Sequence, residues 1–316
     1  MGELSKFVGE VGEDVAKYFF EKIGWKNSLA NIELVCVRGE KHALSGRKTR
    51  NTHGIDRLFS YMSNVEDHTL QHVYISCKCT SNSYPSNPIS TFKNHLKDLE
   101  QGMECFKRSP TKADISNKFS SYSRQNETGV LFWISYDKNS YEDVISKVSS
   151  CRIDSEFDYG SIHLIDNDVV NFHLKTIRFI ENKFCGSWNY YLHETSINYS
   201  DKSITRKTKI LPVEYLNAKV VCFLIDNKNL EVSKPIFIIQ VKDKFSYEAL
   251  DMYVSAAREL TGEITNHYCI VFPDYVALEH LSEVKKVIMK QPESLNIELM
   301  VDSYNDHGVR GVYNEQ

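Results

Sequence analysis

No apolar run in this sequence reaches the length of about 18 residues that a helix needs to cross a bilayer, so no membrane span is expected. The opening residues, MGELSKFVGEVGED, are acidic and lack the basic-then-apolar order of a secretory signal. Neither G-x-x-x-x-G-K-[ST] nor G-x-G-x-x-G occurs, and H-E-x-x-H is missing too, which removes the common phosphate-loop and zinc-hydrolase signatures. The eight cysteines show no framework spacing, and Cys77, Cys222 and Cys269 lie in apolar segments. They read as reduced core thiols of a cytoplasmic protein. Cys77-x-Cys79 is the one close pair, and no second pair or neighbouring histidine cluster makes it a zinc site. His68 and His72 stand four apart, but they fall across a turn and a strand and share no helix face. A large charge excess is also absent: the net charge of −4 argues against a wholesale nucleic-acid coat while leaving room for a local basic groove.

What is present is ordinary globular material, 41% hydrophobic and 25% charged, in a 316-residue chain long enough for two cores. Residues 4–23 carry Leu4, Val8, Val11, Val15 and Phe19 at helical spacing, with Gly24 as the stop and Glu10, Glu13 and Asp14 on or near the flank. A strand is expected at 32–37, then an open loop. Residues 38–57 hold Arg38, Lys41, Arg47, Lys48, Arg50 and Arg57 against Glu40 and Asp56, six bases less two acids, a local +4 suited to tracking a phosphate backbone. Residues 52–81 read as a hairpin: an apolar run at 55–62, a polar turn, and an alternating run at 73–80. Folding it about Glu66 puts Asp56 opposite Ser76, with Lys78 one diagonal step away on the same face.

Beyond the hairpin, Phe92, Leu96, Leu99, Met103 and Phe106 predict a helix over 90–107, and Pro110 ends it. Residues 109–128 are polar and Ser-rich, a long loop or a loosely held helix. A buried strand is expected from Gly129, then a weak helix at 141–149, a strand at 161–165 and a helix at 168–184. Residues 185–209 read as a linker. The same order then returns, with a hairpin of 219–225 and 235–241 around Asn227-Lys228-Asn229, helices at 246–261 and 276–289, and strands at 268–272 and 295–301.

GEVGEDVAKYFFEKIGW, the His53-Gly54-Ile55-Asp56 opening of the first hairpin strand, and ISCKCT with Lys78 resemble the PD-(D/E)XK nuclease superfamily, especially its Mrr-like restriction branch. The resemblance covers residues 1–166. It implies an α/β fold with a restriction-endonuclease-like αβββαβ core, a mixed central sheet flanked by helices. Residues 1–184 would form the nuclease-like domain and 210–316 a second, degenerate copy. It further implies an endonuclease that hydrolyses DNA with Mg²⁺ or Mn²⁺, in bacterial defence against phage or foreign DNA, as a homo-oligomer or with a second defence protein. Asp56 would bind the metal, with the Cys77 carbonyl as a further ligand, and Lys78 would sit beside the attacking water. Glu13, or Glu10 in its place, would be the helix acid that contacts the metal directly or through water. Ser76 departs from the pattern, since Glu, Asp or Gln is usual there; Asp98 or Glu100 on the next helix would be candidates for a migrated acid. A rival reading is a non-catalytic nucleic-acid-binding or scaffolding subunit built on decayed nuclease folds. In the second half, Gln240 and Lys242 look like the Gln-x-Lys form of the same strand, yet folding that hairpin places Lys219 opposite Gln240 and leaves Asp226 at the tip.

Overall fold

The apolar stripe of the N-terminal segment forms the helix that its spacing predicts. The computed structural model describes residues 2–43, 46–153, 156–184, 187–193, 207–226, 234–262 and 264–305, with side chains from residue 11 onward. Helix α1 (Gly2–Lys22) buries Ala16, Phe19 and Phe20. It ends as a Schellman turn: Gly24 takes φ 93°, its N–H reaches Glu21 O, and the Trp25 N–H reaches Phe20 O. The turn sends Trp25 back under the helix, where its ring stacks 5.2 Å from Phe20 and 5.4 Å from Phe59. These aromatic contacts lock α1 onto the sheet.

The chain divides into two units, Met1–Asn171 with Pro212–Asn217, and Phe172–Leu211 with Ala218–Gln316. In the first, β1 (Leu29–Val35), β2 (Thr52–Met62), β3 (Thr69–Thr80), β4 (Arg124–Ser135) and β5 (Ser161–Ile165) lie side by side in that order. The first three are antiparallel and the last three parallel, so the sheet is mixed. Parallel neighbours need a crossover, and α2 (Ile89–Phe106) supplies the one between β3 and β4. The stripe expected on this helix is buried in full: Phe92, Leu96, Leu99, Met103 and Phe106 pack on Tyr74, Leu131 and Trp133 of the sheet. Residues 109–128 are more ordered than expected. Ser109 accepts the Lys112 N–H and Pro110 opens α3 (Pro110–Ser116), after which β4 begins at Arg124. The weak helix shrinks to α4 (Ile145–Val148).

The second unit takes over within α5 (Asn167–Lys183). Its strands are β6 (Ser187–Tyr191), β7 (Lys207–Thr208), β8 (Val220–Asp226), β9 (Ile236–Val241), β10 (His267–Phe272) and β11 (Glu298–Ser303), in the order β11-β10-β9-β8-β6-β7. Its crossovers are α6 (Tyr247–Thr261) and α7 (Ala277–Lys290). From β6 through β8, β9 and β10 to β11 the pairings run antiparallel, antiparallel, parallel, parallel, as from β1 to β5. The topology is therefore repeated. Two expectations change: β6 and β7 fall inside the segment read as a linker, and Val221, not Lys219, stands opposite Gln240. The turn expected at Asn227-Lys228-Asn229 lies outside the described residues.

Two predictions follow from the packing of the first unit. A Cβ on Gly12 would lie 2.6 Å from Cys79 Cβ and 2.7 Å from its Sγ, so this glycine lets α1 approach β3. Gly12→Ala should cost about 1–3 kcal/mol in urea unfolding, despite alanine's better helix propensity. In a Cys79→Gly background the penalty should shrink by about 1 kcal/mol or more, the signature of direct contact. His72, fully buried on β3, shares hydrogen bonds with Ser60 Oγ (2.8 Å) and Ser116 Oγ (3.2 Å). Burial, helped by Lys112, pushes its pKa down to about 4. The folded state thus favours neutral imidazole: its contribution is complete above the unfolded value of about 6.5 and is lost as pH falls toward 4, on the order of 3 kcal/mol. His72→Gln should flatten that acid limb in urea midpoints measured from pH 7 to 4.

Candidate active site

The register of the first hairpin is the one that folding about Glu66 predicts. Pairing runs from Met62↔Leu70 to Arg57↔Ile75 and stops there, leaving Asp56 next to Ser76 at the open end of the ladder. The Asp56 side chain fills the gap: its Oδ2 accepts the Cys77 N–H at 2.6 Å and the Ser76 hydroxyl at 3.4 Å. A backbone donor that would otherwise lack its ladder partner is thereby satisfied. Alternation along β2 also breaks here. Ile55 and Leu58 both join the core under α2, whereas Arg57 reaches Glu13 O on α1 and Phe59 stacks on Trp25. On β1 the matching position is Asn31, held at φ 53° between the pairs Ala30↔Arg57 and Ile32↔Ile55. The kink turns Asp56 toward the edge of β3.

Lys78 lies two residues beyond Ser76, so it shares Ser76's face, the one that α2 covers. Its Nζ stands 3.5 Å from Asp98 Oδ2, while Arg50 Nη1 binds Asp98 Oδ1 at 2.8 Å and Gln101 Oε1 at 3.2 Å. Burial opposes ionisation of Asp98, but the Arg50 hydrogen bond and the Lys78 charge outweigh it and hold the carboxyl below its ordinary value. One turn earlier on α2, His95 packs edge-on to Trp133 at 5.3 Å, and burial together with Lys78 pushes its pKa down to about 4. A neutral imidazole and an ammonium thus stand beside an ionised carboxylate.

The structure joins Asp56 to Ser76 and Cys77, and Lys78 to Asp98 and Arg50. Glu13 sits on α1 directly after Gly12, with an exposed side chain. Burial first raises the Cys79 thiol to about 11; Asp56 and Glu13 add to the rise and Lys78 opposes it, so all three charges act on the end of β3. The side chain of Glu10 lies outside the described residues. Of the two migrated-acid candidates, Asp98 faces Lys78, whereas Glu100 is buried and lines a separate hollow with Lys93, Lys97, Ile153 and Phe157. Helical pitch turns residues two apart to different sides, which is why only one of the pair reaches the lysine. Sequence reading counted Arg50 in the basic loop but missed its grip on Asp98, and it missed His95. Arg47 and Lys48 are exposed on that loop.

In the second unit, Gln240 is buried and donates to Thr176 O at 3.3 Å, and Lys242 Nζ lies 5.1 Å over the Phe172 ring. Asp226 pairs with Lys207 at 2.8 Å. No carboxylate occupies the position that Val221 takes opposite Gln240.

No curated protein and no solved structure matches the chain. Its first 169 residues match a family model, and that stretch contains α1, the kinked hairpin, α2 and both parallel strands. More than half of the chain is covered, and the chain belongs to the family described as the GAPS4 protein PD-(D/E)XK nuclease domain.

Proposed function

We propose that the chain is a Mg²⁺- or Mn²⁺-dependent DNA endonuclease that acts in defence against phage or foreign DNA, with its reaction centre at Asp56, Cys77 and Lys78. The observation that carries this reading is the Asp56 carboxylate aimed at the edge of β3 where the ladder stops. One of its oxygens takes the Cys77 N–H; among the described residues the other accepts no hydrogen bond. In an extended strand the N–H and C=O of one residue leave on the same side, so the Cys77 carbonyl shares that edge. Carboxylate, carbonyl and the neighbouring Ser76 hydroxyl make an all-oxygen donor set, which suits a hard divalent cation. Asp56 and the Cys77 carbonyl would hold the ion, and the exposed Glu13 would reach it directly or through water. When bound, the metal supplies charge neutralisation on the phosphate oxygens and an acidified water.

The remaining work falls to the protein. Lys78, held in place beside Asp98, orients the attacking water and stabilises negative charge on the phosphate. Asp98 and Arg50 are positioning residues that fix where the Lys78 ammonium stands. Arg47 and Lys48 offer sequence-independent contacts to the phosphate backbone, so DNA affinity should fall with salt. Assembly into a homo-oligomer, or with a second defence protein, belongs to the same proposal.

Ser76 supports a second reading. A hydroxyl brings no negative charge where the superfamily usually has Glu, Asp or Gln, and a chain so altered would serve as a non-catalytic DNA-binding or scaffolding subunit. Plasmid cleavage separates the two. With Mg²⁺ or Mn²⁺ added, wild type should nick or linearise DNA, and Asp56→Ala and Lys78→Ala should each lose about 100-fold or more. Asp98→Asn should lose less, about tenfold, and Lys242→Ala nothing. Cleavage that persists in both Asp56→Ala and Lys78→Ala would overturn the site. A wild-type chain that binds DNA yet stays silent in either metal would favour the scaffolding role.

A further inference from the structure

Four side chains far apart in sequence converge beneath the basic loop. Cys36 follows β1, His42 lies in the loop, His53 is on β2, and Cys105 stands in the last turn of α2. The donor atoms all lie within 4.8 Å of one another, and His42, His53 and Cys105 are fully buried. We propose that Cys36 Sγ, His42 Nδ1, His53 Nε2 and Cys105 Sγ bind one zinc ion tetrahedrally, as a structural site separate from the proposed reaction centre.

Four of the six edges of the cluster match those of a coordination tetrahedron, and the other two, from His53 Nε2 to the sulfurs, lie within 4.8 Å. With Zn–S near 2.3 Å and Zn–N near 2.0–2.1 Å, a regular tetrahedron has edges of about 3.8 Å between sulfurs, 3.6 Å between sulfur and nitrogen and 3.3 Å between nitrogens. Here the two sulfurs are 4.0 Å apart, Nδ1 of His42 is 3.4 Å from Cys36 Sγ and 3.5 Å from Cys105 Sγ, and the two imidazole nitrogens are 3.2 Å apart. The outer nitrogen of His42 is held by a carboxylate: Nε2 lies 2.8 Å from Glu104 Oε2. That contact fixes the tautomer with Nδ1 turned inward, the usual arrangement around a zinc-bound histidine. Arg38 and Lys41 stand 3.8 Å from the other Glu104 oxygen and anchor it in turn. Charge balance also fits burial, because two thiols lose their protons to solvent on binding and two thiolates neutralise Zn²⁺. Soft sulfur with imidazole selects zinc over the hard ion proposed at the all-oxygen site near Asp56.

Such a clamp would tie the loop that bears Arg47 and Lys48 to α2, the helix that holds Asp98. Untagged full-length chain, purified after growth with zinc, should carry one zinc per chain by elemental analysis. Exchange for Co²⁺ should give intense tetrahedral d–d bands and thiolate charge transfer. Cys105→Ser and His53→Ala should cut zinc content at least fivefold and lower the thermal midpoint, Glu104→Gln should weaken zinc binding about 10–100-fold, and Cys151→Ser, outside both sites, should leave the zinc content unchanged. If the ligand variants fail to fold, metal content and the cobalt spectrum of wild type still decide. Wild type that folds without zinc and gives no tetrahedral cobalt spectrum overturns the proposal, as does a Cys36→Ser/Cys105→Ser chain that keeps its zinc. A disulfide between Cys36 and Cys105 found in freshly purified chain would overturn it too.

Discussion

A single hydrogen bond organises the first unit's candidate site: the Cys77 backbone N–H donating to the Asp56 carboxylate. It forms because β2 kinks and its ladder with β3 ends at Arg57↔Ile75. Buried backbone donors need partners, and here a side chain takes the place of a strand. The outcome is a carboxylate pinned at the edge of a sheet, with one oxygen engaged and, among the described residues, no hydrogen bond to the other. Packing sustains the kink from both sides, with the Trp25 and Phe59 rings under α1 and Ile55 and Leu58 under α2.

The second unit shows what the same topology yields without that bond. Its β9 carries Gln240, with Lys242 directly after the strand, at the spacing of Ser76 and Lys78, yet Val221 stands opposite Gln240 and the ladder runs on to Val220↔Val241. With Val221 opposite it, Gln240 donates to Thr176 O and is part of the core. Repeated topology therefore builds a scaffold, and the two copies differ at one end of one hairpin, where Asp56 takes the Cys77 N–H in the first and Val221 faces Gln240 in the second.

The first hairpin was legible because its polar turn is symmetric about Glu66 and its second strand alternates, so one register satisfies both. The helix over Phe92 to Phe106 was legible for the same reason, a strict apolar period that the core then buries. The second hairpin slipped by one pleat, since residues of β9 such as Phe237, Ile238 and Ile239 are apolar on both faces and pin no register. Ser109 and Pro110 together signal a helix start, and reading Pro110 only as a stop concealed α3. The Cys36, His42, His53 and Cys105 cluster has no sequence signature at all. Its members meet only after β1, β2 and α2 pack, so no local spacing announces them.

The central claim is that the Asp56 carboxylate anchors a hard divalent ion at the end of β3. Electron paramagnetic resonance titration with Mn²⁺, on wild type, Asp56→Asn and Ser76→Glu, tests it without relying on catalysis. The account predicts saturable binding in wild type, its loss in Asp56→Asn, and affinity at least about tenfold tighter when Ser76→Glu adds a second carboxylate. Equal binding by wild type and Asp56→Asn would contradict it.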